Sequence, residues 1–385
     1  MGEAREDGSA ETVLLYGHDG RGWGHASRTI KLACFLSRQP GVKPIVATGG
    51  GLVSWAKHLE LPTLELPGYR TRLIDDQVHT VMLDPSLTFS EGRAARMHKL
   101  AECIETAAPV TMVVDFRPKG KKHELDQLIK NYRKSGHIRR LVLGLRPVVG
   151  KWKSTGACVI NDQEWQFFED WYDECWIFGS ESVYGAHLPG HLQATSISVT
   201  FVGYPPTPKI DSTPASGAGG KVHILLNAGS QGIAEPGLES ALRRILREER
   251  GNCISLALFG TEPREGQEGC EATGLFESYL TALGSAFACV SHAGCNALLE
   301  CVEVSVPCLA IVRRDLLDDE QDVHLGALAA RGMVLEVQGG RNLLVQLRRC
   351  LLRIHEGWRP PPVPEGMFMR TSPLAAGRME MGLRK

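Results

Sequence analysis

Short apolar runs alternate with longer amphipathic stretches along this chain, and the pattern occurs twice. Val13–Tyr16, Ile45–Thr48, Met112–Val114, Leu141–Leu145 and Glu174–Phe178 are apolar and strand-length. Between them lie the helix-length segments His25–Arg38, Glu91–Thr106, His123–Lys134 and Gln163–Trp171. Parallel strands buried on both faces read as continuous apolar runs, and each needs a crossover, usually a helix, to reach the next. The alternation therefore predicts an α/β fold with a parallel sheet covered on both faces. The pattern stops at Tyr204–Gly220, a stretch rich in Pro, Gly and Ser that reads as a linker. It restarts with strands Val222–Leu226, Ile254–Phe259, Ala286–Ser291 and Cys308–Val312, and a weaker Met333–Val337. Its helices are Pro236–Glu249, Leu275–Leu283, Asn296–Val302, Glu320–Arg331 and Leu343–His355.

Two Rossmann-like lobes follow, residues 1–205 and 221–357, joined by a linker over 206–220. Residues 358–385 form a tail, expected either to pack back on the first lobe or to lack order. Ligands bind outside the carboxyl ends of parallel strands, so two facing sheets create a cleft where two substrates can meet. At 385 residues with 43 % apolar content, the chain can bury two cores. Its net charge of −1 lacks the basic excess of a nucleic-acid binder. The acidic start MGEAREDGSAET carries no signal pattern, and no window is apolar enough for an integral span. Eleven scattered cysteines without a CxxC pair fit core thiols in a reducing cytoplasm. Monomer and homodimer both remain open.

The near-zero charge conceals two blocks. Arg117–Lys153 holds 12 Lys and Arg against Glu124 and Asp126, a net of +10. Ser154–Pro208 holds seven acids and no Lys or Arg. Two readings follow: faces that neutralise each other, or a basic wall for an anionic ligand.

Three loops carry the chemistry. The first strand runs into Gly17-His18-Asp19-Gly20-Arg21-Gly22-Trp23-Gly24-His25, with Arg28 one turn on. Glycines between a strand and a helix allow close approach of backbone N–H groups to an anion. The spacing is not GxGxxG, and no acid ends the second strand, which argues against a dinucleotide enzyme. The second lobe opens the same way, at Asn227-Ala228-Gly229-Ser230-Gln231-Gly232. The third loop is Ser291-His292-Ala293-Gly294-Cys295-Asn296, followed by Glu300, Pro307 and Glu320-Gln321. Small residues at a helix start suit a diphosphate, and a carboxylate inside that helix needs a partner such as ribose hydroxyls.

These motifs resemble the GT-B glycosyltransferases of the MurG-like family 28, from about Val13 to Gly332. Gly229-Ser230-Gln231-Gly232 resembles the family's GGSQG loop, and the third loop with Glu300, Pro307 and Glu320-Gln321 resembles its donor signature. Phe116–Leu125, Leu143–Arg146 and Phe201–Tyr204 are similar to segments of a related group of bacterial glycosyltransferases. Asn296-Ala297 departs from the family's Thr or Ser, and Arg21 and Trp23 stand where small residues are usual.

The resemblance implies transfer of a sugar from a nucleotide-diphosphate sugar to an acceptor, with inversion; the runs near Lys119, Lys121 and Lys122 are not conspicuously apolar, which favours a small polar acceptor over a membrane lipid. Gly229, Ser230, Gln231 and Ser291–Asn296 would hold the diphosphate, and Glu300 the ribose. Glu320 and Gln321 would hold the donor sugar, and Phe259 and Phe287 would flank the base. His25 is the expected general base, with His18 and Asp19 as rivals, because imidazole accepts protons near neutral pH. Gly22, Trp23, Gly24, Arg28, Asp115, Arg117, Lys119, Glu124 and Arg146 would face the acceptor. No Asp-x-Asp occurs, so no metal and no cofactor is expected. The richness in Arg, Ala and Gly suggests a GC-rich bacterium and an acceptor from specialised, antibiotic-type metabolism. The alternatives are a nucleotide-sugar 2-epimerase or hydrolase of the same fold, needing carboxylates such as Asp115 and Glu124, and a non-catalytic partner subunit.

Overall fold

A computed structural model describes residues 10–18, 23–74, 77–208, 222–227, 235, 237–248, 254–259, 272–273 and 276–374. The first lobe contributes β1 (Glu11–Tyr16), β2 (Val42–Gly49), β3 (Thr63–Leu66), a hairpin β4 (Tyr69–Ile74) and β5 (Gln77–Met82), β6 (Thr111–Asp115), β7 (Arg140–Leu145), β8 (Glu174–Ile177) and β9 (Ser198–Phe201). The second contributes β10 (Val222–Asn227), β11 (Ile254–Phe259), β12 (Ala272–Thr273), β13 (Ala288–His292), β14 (Cys308–Ile311) and β15 (Leu335–Glu336). The helices of the first lobe are α1 (Gly24–Ser37), α2 (Val53–His58), α3 (Phe89–Ala107), α4 (Asp126–Lys134), α5 (Asp162–Trp171), α6 (Glu181–Tyr184) and α7 (Gly190–Ala194). Those of the second are α8 (Leu238–Glu248), α9 (Phe276–Ser285), α10 (Cys295–Glu303), α11 (Glu320–Ala329) and α12 (Leu343–His355).

Both sheets are parallel and doubly wound. The first runs β3-β2-β1-β6-β7-β8-β9 and the second β12-β11-β10-β13-β14-β15. In each, order reverses beside the lobe's first strand, which opens a crevice at the carboxyl ends of β1 and β6 and of β10 and β13. Apolar side chains fill both faces of both sheets, and one buried cluster crosses from lobe to lobe, joining Ile30, Ala33 and Tyr204 to Tyr279, Leu298 and Ala310. The lobes thus meet along a packed seam.

Local chemistry sets the helix starts. Thr88 and Glu91 form a capping box on α3, and Asn161 and Glu164 form one on α5. At Gly17 a Cβ would sit 2.4 Å from Thr29 Oγ1, so glycine is what lets β1 run close beneath α1.

The expected linker lies mostly outside the described residues. The tail through residue 374 recrosses to the first lobe. Tyr204 N–H donates to the Met367 carbonyl at 2.7 Å, and Met369 N–H donates to the Tyr204 carbonyl at 3.0 Å. Arg140 donates to the Leu374 carbonyl at 3.1 Å, and Met367, Met369 and Leu374 are buried. Gly203, at φ 78°, permits the crossing, because a Cβ there would lie 2.6 Å from the Phe368 carbonyl carbon.

Three ion pairs join the two charge blocks. Arg117, Arg133 and Arg140 pair with Glu164, Asp173 and Glu174 at 2.7–2.8 Å. Lys119 turns to Asp126 at 3.6 Å and to the Phe167 ring. Lys121, from the same block, acts on His25 and His18 instead, and Arg146 acts on His25.

Candidate active site

The carboxyl ends of β1, β6 and β7 are neighbours in the first sheet. His18 follows β1, Asp115 closes β6, Arg146 follows β7, and α1 brings in His25 and Arg28. Asp115 is buried and takes three contacts. Arg28 Nε and Nη2 donate to Oδ1 at 2.8 and 2.6 Å, and His25 Nδ1 meets Oδ2 at 2.5 Å. An ionised Asp115 is acceptor-only and favours the tautomer with the imidazole proton on Nδ1 and the lone pair on Nε2, while Arg28 Nη2, 3.1 Å from the same nitrogen, competes for it. The side chain of His25 is 18 % exposed. Phe116, beside Asp115, has a φ of 68°, a costly backbone state for a bulky residue of the kind that gathers at functional sites.

The rings around His25 complete the pocket wall. His18 packs on it at a tilt of 35° with centroids 3.9 Å apart, and Phe116 lies 5.1 Å away. The Arg146 guanidinium covers the other side of Phe116 at 4.4 Å. Burial pushes the His25 imidazole well below its usual range, and Arg28, Arg146, Lys121 and Arg117 push it further. Burial likewise lowers His18, with His25, Lys121 and Arg117 adding to the shift and Asp115 opposing it. Both are neutral at pH 7. Because only the neutral imidazole can accept a proton, the acid limb of a His25-dependent rate should lie below about pH 6.5. Lys121→Ala, which removes one cation, should move that limb upward. A pH profile of kcat/KM checks both, and a wild-type limb at or above the free-imidazole value would contradict them.

His18, His25 and Asp115 are the one described group whose ligand atoms, all within 4.8 Å, could gather on a metal ion. The four cations that depress the imidazoles would repel a dication there, and Arg28 already holds Asp115. An anionic substrate suits this electrostatic setting better.

The second lobe presents its helix starts to the same place. Asn296, in the first turn of α10, donates through Nδ2 to the Gly24 carbonyl at 2.8 Å and to Ser27 Oγ at 2.9 Å. Glu320, at the start of α11, pairs with Arg146 at 3.0 Å through Oε2, while its Oε1 is buried without a hydrogen-bond partner. The Arg313 N–H donates to the Gln321 side-chain oxygen at 3.1 Å, and Gln321 Nε2 lies near Gly294. Ser291, His292 and Ala293 are buried under the same loop, and burial lowers His292 to about 4. Cys295 is buried beside Arg28 and Glu320, and its thiol is raised to about 12 by burial. Phe287 is half-buried against the second-lobe core.

Two expected site residues are enclosed. Glu300 accepts from Lys31 Nζ at 2.7 Å across the seam, and the Tyr279 hydroxyl bonds to it as well. A ribose can use Glu300 only when Lys31 releases it. Glu124 is fully buried and receives Arg96 Nε and Nη2 at 2.8 Å each, the Tyr69 hydroxyl at 2.9 Å and the Tyr16 hydroxyl. It faces this cluster rather than the cleft, and an acceptor cannot reach it. Trp23 lies over Gly51, just past the end of β2, and Gly24 opens α1. Asp19, Gly22, Gly229, Ser230 and Gln231 lie outside the described residues, as does the side chain of Phe259.

A cavity of about 660 Å³ opens along the seam, lined by Val148, Gly150, His187 and Leu188 of the first lobe and Asp319 and Val323 of the second. It adjoins the site through Gly150, whose Cβ position lies 3.0 Å from the Glu320 Cβ. Its size suits a small molecule. None of the residues expected to face the acceptor lines it. Periodicity and motifs could not have found it, because it exists only once α7 and α11 face each other.

The chain matches no protein-family model and no curated protein. Solved structures match over nearly its whole length. A glycotransferase of kitacinnamycin shares 12 % identity at a TM-score of 0.59, covering 97 % of this chain and 94 % of that one. A protein described as a UDP-N-acetylglucosamine 2-epimerase from Listeria monocytogenes shares 13 % at 0.61, covering 98 % and 96 %. MurG of Acinetobacter baumannii shares 14 % at 0.52, covering 90 % and 92 %. The fold is GT-B, with two Rossmann-like lobes.

Proposed function

We propose that the protein is an inverting, metal-independent glycosyltransferase that moves a sugar from a nucleotide-diphosphate sugar to a small acceptor. The observation that supports this reading is the His25 Nδ1 contact with Asp115 on the first lobe, beside the α10 and α11 starts that Asn296 and Glu320 bring in from the second. The acceptor hydroxyl gives its proton to His25 Nε2 as its oxygen bonds to the anomeric carbon. The bond from that carbon to the diphosphate oxygen breaks, and the electron pair leaves with the diphosphate. Backbone N–H groups at Gly294–Asn296, the second-lobe glycine loop and Arg146 or Lys121 would stabilise that charge. The buried Glu320 Oε1 would accept a donor-sugar hydroxyl, and Gln321 would add another contact. The seam cavity would seat the acceptor. Holding both substrates there supplies much of the rate through proximity. The reaction would run in the cytoplasm, and an acceptor from specialised metabolism fits the composition.

The epimerase or hydrolase reading needs carboxylates at the anomeric centre, and Glu124 is sealed away from it. Among the described residues, Asp115 and Glu320 would have to serve. A thermal-shift screen of UDP, GDP and dTDP tests the donor site. One of them at a hundred times its Kd should stabilise the fold by about 2.7 kcal/mol. If none raises Tm, the donor reading falls. Free sugar as the sole product, with every acceptor offered, would favour the hydrolase.

A further inference from the structure

Helix α12 covers the outer face of the second lobe, away from the site. It buries Leu343, Leu347, Cys350 and Ile354 against the core. Its opposite face carries Val345 and Leu352, 67 % and 55 % exposed. They stand seven residues apart, two turns along one line of the helix. Arg348 flanks this ridge on one side and Arg349 and Arg353 on the other, by helical geometry, and Arg341 precedes the helix. Of the four, Arg348 pairs with Glu248 of the neighbouring α8. Arg341, Arg349 and Arg353 have no acidic partner among the described residues. Glu356 is an exposed acid just past the helix end, and Glu248 of α8 borders the face at Arg348.

We propose that this face docks the protein on an anionic membrane surface. Two aliphatic side chains beside the exposed Arg349 and Arg353 fit a bilayer interface, where Val345 and Leu352 enter the headgroup boundary and the arginines meet lipid phosphates. A protein partner would call for a concave, aromatic-anchored patch, and a nucleic acid for cations without an aliphatic ridge. Each unpaired arginine should raise affinity for an anionic surface about fivefold. The attachment would leave the carboxyl-end cleft free, since α12 contributes nothing to it.

The test is co-sedimentation of the full chain with phosphatidylcholine vesicles, with and without phosphatidylglycerol. Binding is expected only with phosphatidylglycerol, weakening as salt rises. Val345→Glu with Leu352→Glu should abolish it, and Arg349→Glu with Arg353→Glu should reduce it more than tenfold. All four positions are exposed, and an unchanged Tm would show that the variants fold. No binding, equal binding to both vesicle types, or wild-type binding by either variant would overturn the proposal. So would binding of a DNA duplex or an acidic protein that competes with the vesicles.

Discussion

Replacing His25 with alanine should lower kcat for sugar transfer by about 10²–10⁴-fold, the range a positioned general base supplies. Affinity for the nucleoside diphosphate should be unchanged, because His25 belongs to the first lobe and the donor is expected on the second. Release of nucleoside diphosphate from the nucleotide sugar gives the rate, and a titration gives the affinity. Asp115→Asn should reproduce most of the loss. An amide no longer fixes the proton on Nδ1, so Nε2 loses its assured lone pair. The Asn variant also loosens Arg28, so its Tm belongs beside its rate. If His25→Ala keeps wild-type activity, the base lies elsewhere, and His18 becomes the first candidate.

The second large effect concerns stability. Glu124→Ala should cost about 3–5 kcal/mol, because it leaves Arg96 charged and enclosed with no carboxylate. Urea unfolding measures this from the shift in midpoint at constant slope. Lys57→Ala provides the contrast. Its pair with Glu65 at 2.6 Å is more than half exposed, and its loss should cost no more than about 1 kcal/mol. A Glu124→Ala cost near that of Lys57→Ala would mean that water already reaches the cluster.

The sheets were legible because buried parallel strands announce themselves as apolar runs. Ile254–Phe259 and Leu343–His355 match their expected bounds, and most other expected elements differ by a few residues. The missed strands are short or only half apolar. Thr63–Leu66 has four residues, and Ser198–Phe201 is an edge strand of alternating exposure. The hairpin Tyr69–Met82 did carry a signal, period-two alternation around Asp75-Asp76, but its arginines hid it. In the site, His25 and Arg28 of α1 and the strand-end residues Asp115 and Arg146 were readable as types. That His25 meets Asp115, 90 positions away, depends on β1 lying beside β6, which no local pattern encodes. Lys31, Arg96 and Tyr69 left no mark at all, because a buried ion pair looks in sequence like two ordinary surface charges.

The Lys31–Glu300 pair limits how freely the two halves can be exchanged. Each charge is enclosed by a lobe that does not carry its partner, and Tyr204 at the junction roofs Lys31 with its ring at 5.3 Å. A hybrid that joined this second half to a foreign first half lacking a lysine at that point of α1 would leave the buried Glu300 with the Tyr279 hydroxyl and no cation. Recombination at the linker should therefore cost stability unless both ends of the ion pair travel together.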